Sequence, residues 1–164
     1  MDTQTIFDYI RNFDLQGRAW THIIIHHSLT KDQQTVDWAG IKEYHTKELG
    51  WSDIGYHFGI EMINGRLEYT LGRPINRSGA HCEGIMNSLA FGVCLVGNYD
   101  INTPTYDQYF LLACLCRELQ KKCNIPLMNI HGHWCHNNYK TCPGFHFNFV
   151  ALRQIIDGSY KKPI

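Results

Sequence analysis

Two stretches, Ile23-Ile24-Ile25 and Phe91–Val96, are apolar without the polar alternation of a strand that keeps one face in water. Such strands need cover on both faces, which requires a sheet lying between two other layers. The rest of the sequence supplies those layers. Ile6, Tyr9, Ile10 and Phe13 recur at helical spacing until Gly17 interrupts them. A second helix is expected from a cap at Thr35, through Trp38, Ile41 and His45, to a stop at Gly50. Further helices are expected from about Thr105 to Cys123 and from about Asn148 to Asp157. Tyr56–Met62 alternates, Asn64-Gly65 is a tight-turn signal, and Arg66–Thr70 returns as the partner strand. A short strand near Met128–His131 completes the set, and Gly72–Ser88 reads as a long surface loop. The expected fold is α/β: a mixed central sheet of about five strands with helices on both faces. It forms a single domain over residues 1–164, with a motif-bearing core at about 21–157.

Composition removes several function classes. The formal net charge is zero, so no broad basic field exists to hold phosphates, and nucleic acid is not an expected partner. No segment is long and apolar enough to enter a membrane, and Met1–Trp20, with Asp2, Asp8, Arg11 and Asp14, lacks the apolar run of a signal peptide. The expectation is a monomer made in the cytoplasm. An odd number of cysteines, seven, argues against a disulfide framework.

Ten histidines are more unusual, and four fall between His131 and His146. Around His131-Gly132-His133-Trp134-Cys135-His136 and Lys140-Thr141-Cys142-Pro143-Gly144, imidazole and thiol groups of the kind that bind zinc are dense. A structural zinc site closes its tetrahedron with four protein ligands, often from C-x-x-C pairs, and this chain has none. A catalytic site needs three ligands and an open position, and the third can come from far away in sequence. His26, at the end of the Ile23–Ile25 run, is mounted where such a ligand would be rigid. Neighbouring strand residues point to opposite faces, so His26 and His27 cannot readily serve one ion together. Because both faces of this strand are apolar, parity alone does not choose between them, nor between Tyr56 and His57.

Six blocks, in order, resemble one family: Ile24-Ile25-His26-His27-Ser28, Trp51–Phe58, Gly79-Ala80-His81, Gly92–Gly97, Gly132-His133 and Lys140–Gly144. They are similar to the zinc N-acetylmuramoyl-L-alanine amidases, which include phage amidase-type lysozymes, bacterial wall-recycling amidases and animal peptidoglycan-recognition proteins. The resemblance implies that His26, His133 and Cys142 hold Zn2+. It also implies that Tyr56 and Lys140 act in catalysis, and that His81, Asn87 and Trp51 contact substrate. The interval from His133 to Cys142 is longer than is usual in the phage and animal members, so His131 and His136 stay open as rival ligands, as does His27. The implied activity is hydrolysis of the amide between N-acetylmuramic acid and L-alanine in peptidoglycan, by a phage or prophage endolysin acting in host lysis. Acting on wall without an export signal, such an enzyme would reach it through a holin-type pore or on lysis. The alternatives are a cytosolic amidase recycling wall fragments and a non-catalytic peptidoglycan-binding module.

Overall fold

The computed structural model describes residues 1–30 and 37–161, so the expected cap at Thr35 lies outside the described residues. The chain runs α1 (Thr3–Asn12), β1 (His22–His27), α2 (Trp38–Glu43), β2 (Phe58–Ile63), β3 (Arg66–Leu71), α3 (Met86–Leu89), β4 (Ala90–Leu95), α4 (Tyr106–Cys123), β5 (Ile130–Gly132) and α5 (Phe149–Asp157). The five strands form one sheet in the order β3-β2-β4-β1-β5. β1 lies between β4 and β5, parallel to both; β2 is parallel to β4 and antiparallel to β3. The sheet is therefore mixed, as the sequence pattern implies.

Side-chain alternation along β1 divides the molecule. Ile23 and Ile25 enter the main core with Phe58, Ile60, Phe91, Val93 and Leu95, under Ile6 and Ile10 of α1, Leu112 of α4 and Leu152 of α5. Each isoleucine so enclosed contributes roughly 1.5–3 kcal/mol of apolar burial. Ile24 faces the other way and packs on Cys82, Ala90 and Met86. On that second face Trp38 and Ile41 of α2 cover Cys94 and Val96. Both faces of β1 are thus enclosed, which is why its sequence does not alternate.

Local chemistry fixes the ends of the elements. The Asp2 carboxylate accepts from Thr5 N at 2.8 Å to cap α1. Thr105 and Gln108 form a reciprocal capping box on α4, and Asn124 ends that helix with φ 54°. Asn64 and Gly65 both take positive φ in the β2–β3 hairpin. The helix expected to run on to Leu49 instead widens after Glu43 into a π turn, Tyr44–Glu48. There Thr46 Oγ1 donates back to Lys42 O at 2.8 Å, and Leu49 N reaches Tyr44 O at 3.1 Å. The expected loop from Gly72 to Ser88 ends in the short α3. No described helix is long and apolar enough to cross a membrane.

Candidate metal centre and groove

The same alternation separates the two adjacent histidines. His26 shares the face of Ile24, whereas His27 turns toward Tyr99, whose backbone N–H donates to His27 Nδ1 at 3.1 Å. β5 pairs with β1 through Ile25↔Gly132 and then breaks into a single 3-10 turn, His133–Cys135. That break sets the His133 ring 4.7 Å from the His26 ring, centroid to centroid. The following loop returns: Trp134 N donates to Cys142 O at 3.0 Å, and His27 N donates to Cys142 Sγ at 3.4 Å. Gly144 follows at φ 116°, where a Cβ would come within 2.3 Å of the Tyr99 backbone, so this close return requires glycine. One ligand atom each from His26, His133 and Cys142 then lies within 4.8 Å of the others.

The proton positions on His26 follow from its neighbours. His81 Nε2 sits 3.1 Å from Ala90 O, which can only accept, so that nitrogen carries the hydrogen. His81 Nδ1 is therefore an acceptor, and it takes a hydrogen bond from His26 Nε2 at 3.0 Å. This leaves the lone pair of His26 on Nδ1, which faces Cys142 Sγ at 3.5 Å. Burial first, and then His81 and His133, holds the His26 pKa well below its ordinary value, so the ring is neutral. Gly92 makes the relay possible, since a Cβ there would meet the His81 ring at 2.4 Å.

Burial also lowers His133 to about 4, with the Lys140 charge adding to the effect. Burial pushes the Cys142 thiol up to about 12, against the His27 N–H and Lys140, which pull it down. Tyr56 lies with its ring centroid 5.1 Å from that of His26. Burial first, and then Cys94 and Cys142, raises its pKa well above the ordinary value, so the phenol keeps its proton. His57 turns the other way: its Nδ1 accepts from Gly92 N and its Nε2 donates to Arg77 O, both at 3.0 Å.

These residues form the floor of a groove of about 690 Å³. Trp51, 36% exposed, stands on one wall against His45 at 4.7 Å between ring centroids. Lys140, exposed, lies on the rim. Asn87 is occupied in shaping the loop: its Oδ1 accepts from His81 N and Cys82 N at 2.8 and 3.0 Å. His81 lines the groove but has both ring nitrogens engaged, so only its carbon edge is free to meet a ligand. All eight residues singled out from the sequence thus line one groove. Of the rival ligands, His27 turns away, and His131 and His136 hydrogen-bond to each other at 3.2 Å.

Among the groove residues not singled out, Glu83, Asn137, Tyr139 and His45 shape its walls. Asn137 and Tyr139 both donate to Glu83 Oε1, at 2.9 and 2.5 Å, tying the loop that carries Lys140 to the opposite wall. His45 accepts from Gly55 N at 3.0 Å, and the π turn aims it inward. Its helical spacing with Trp38 and Ile41 marks it as a packing residue, and nothing in the pattern signals the π turn. The Glu83 contacts join segments far apart in sequence and have no local signature.

The model of the N-acetylmuramoyl-L-alanine amidase family matches residues 16–145. Over 85 residues the chain is 44% identical to an endolysin of Escherichia phage T7, covering 52% of this chain and 53% of that one. It is 37% identical over 93 residues to peptidoglycan-recognition protein SC2 of Drosophila simulans, covering 54% of this chain and 48% of that protein. The chain thus spans about half the length of these relatives. Among solved structures, the endolysin N-acetylmuramoyl-L-alanine amidase LysCS from Clostridium intestinale superposes with a TM-score of 0.73 at 32% identity, covering 84% of each chain.

Proposed function

The chain belongs to the N-acetylmuramoyl-L-alanine amidase family, and from that premise we propose that it is a zinc enzyme. It cleaves the amide between N-acetylmuramic acid and the L-alanine of the peptidoglycan stem, and it serves as a phage-type endolysin in host lysis. The observation that carries this reading is the convergence of His26, His133 and Cys142 on the floor of an open groove.

The donor set fits zinc. Bonds of about 2.0–2.1 Å to nitrogen and about 2.3 Å to sulfur, at a tetrahedral angle, hold N and S ~3.5 Å apart. His26 Nδ1 and Cys142 Sγ are 3.5 Å apart. His133 Nε2 is buried and has no hydrogen-bond partner among the described residues. A buried nitrogen left this way is costly unless something else takes its lone pair. A thiol held up to about 12 ionises only beside a strong cation. When bound, zinc supplies a Lewis-acidic centre and lowers the pKa of water.

The chain's own groups divide the remaining work. His81, hydrogen-bonded to Ala90 O, holds His26 in the tautomer that presents Nδ1. Tyr56, kept protonated by burial, offers an O–H beside His26 and helps pass a proton to the departing alanine amine. The Lys140 ammonium stands on the rim, where it stabilises negative charge growing on the carbonyl oxygen. Trp51 and His45 give one wall an aromatic surface on which a sugar or peptide can lie. The test is product analysis on purified peptidoglycan. Free muramic lactyl groups and new alanine N-termini should appear, cease with a chelator and return with zinc. Binding to the polymer with no new termini would contradict the enzymatic reading and favour a recognition module.

A further inference from the structure

Beyond the rim of the groove lies a second cleft, of about 570 Å³. Trp134, Asn138, Phe145 and Phe149 line it, and it shares Tyr139 and Lys140 with the groove, so the two are continuous over that rim. Trp134, Tyr139 and Phe145 are 48%, 69% and 77% exposed. Three large rings left in water on one cleft mark a binding surface. Their supports are rigid. The Asp100 carboxylate accepts from Thr141 Oγ1 at 2.8 Å and from Phe145 N at 3.0 Å, pinning both ends of the turn that carries Cys142. Gly144 N closes that turn on Thr141 O at 2.8 Å, and His146 N ties it to Tyr99 O at 2.8 Å. Trp134 lies over Gly132, where a Cβ would meet its Nε1 at 2.5 Å. The Tyr139 hydroxyl donates to Glu83. The rings are thus set before any ligand arrives, which spares the ordering cost of binding.

We propose that this cleft is an accessory saccharide subsite, taking sugar rings of the same glycan strand whose stem peptide is cut in the groove; the inference rests on the peptidoglycan reading of that groove. The lining chooses the ligand. A sugar ring presents a face of C–H bonds, which stacks on an aromatic ring, and an edge of hydroxyl and acetamido groups. Trp134, Tyr139 and Phe145 supply the aromatic faces, and the Asn138 amide supplies a donor and an acceptor for that edge. A stem peptide carries free carboxylates and would call for several cations, whereas the described lining holds no charge but Lys140, at the shared rim. Sugars seated here add binding energy that a short wall fragment cannot use.

The experiment compares two soluble substrates: glycan strands of several disaccharides bearing stem peptides, and a single disaccharide bearing one. Phe145→Ala, a change at an exposed side chain, should raise KM about 10-fold on the strands and leave kcat unchanged. On the single disaccharide both constants should stay at wild-type values. Trp134→Ala should show the same split. In parallel, peptide-free glycan oligosaccharide and free stem peptide are titrated onto the protein by calorimetry. Phe145→Ala should weaken oligosaccharide binding about 10-fold and leave peptide binding unchanged. Equal kinetic loss on both substrates, no loss on either, or weakened peptide binding beside intact oligosaccharide binding would overturn the subsite. Failure of the wild type to cleave either substrate would instead sink the amidase reading, and the oligosaccharide titration would still decide the subsite.

Discussion

His81 offers the sharpest separation of fold from function. Replacing it with leucine keeps an apolar side chain of similar bulk against Gly92 but removes both ring nitrogens. Two polar groups then lose their partner: His26 Nε2–H, on a side chain 1% exposed, and Ala90 O, on a residue 0% exposed. Each buried group left unsatisfied costs about 1–3 kcal/mol, so destabilisation of roughly 2–6 kcal/mol is expected. His26 can also escape by moving its proton to Nδ1, the nitrogen that faces Cys142. Zinc affinity should therefore fall about 10- to 100-fold, the range for loss of an outer-shell partner. The assay is competition against a chromophoric chelator at neutral pH, on protein shown by circular dichroism to be folded. His81→Gln, whose amide retains a donor and an acceptor, should recover part of the affinity. A folded leucine variant with wild-type zinc affinity would refute the relay.

Lys140→Ala should keep zinc and lose turnover by on the order of 100- to 1000-fold, because an exposed rim lysine has little part in the fold. Metal content measured beside kcat decides it, and full activity would remove the lysine from the scheme. Stability should also fall on acidification. Burial depresses His57 from 6.5 to about 4, so below 6.5 the unfolded chain takes up a proton that the folded chain refuses. Full stability is present above about 6.5; about 3 kcal/mol is lost by the time pH reaches about 4. Urea melts at pH 7 and 4.5, with chelator present to keep metal out of the groove, should show the midpoint falling. Equal midpoints would contradict a neutral buried His57.

Much of this molecule is written locally in the chain. The unbroken apolar runs announced strands covered on both faces, and Asn64-Gly65 marked its hairpin. Alternation along β1 could not choose between His26 and His27, because Ile23, Ile24 and Ile25 are alike and both faces are enclosed. Only the packing of Ile23 and Ile25 under α1, α4 and α5 shows which side the groove occupies. The site blocks were legible through their order along the chain, since His26 and Cys142 are 116 residues apart. What was not legible depends on three-dimensional closure. The π turn that aims His45 has no strong local cue, and the loop bridging Glu83 to Asn137 and Tyr139 joins distant segments.

The most direct measurement is zinc K-edge absorption on protein carrying one equivalent of zinc. The groove site should show one sulfur scatterer at about 2.3 Å with imidazole nitrogens at about 2.0–2.1 Å. The sulfur shell should vanish in Cys142→Ser. A spectrum without sulfur in the wild type, in protein whose wall-cleaving activity is intact and lost with chelator, would place the working ion elsewhere and contradict the account.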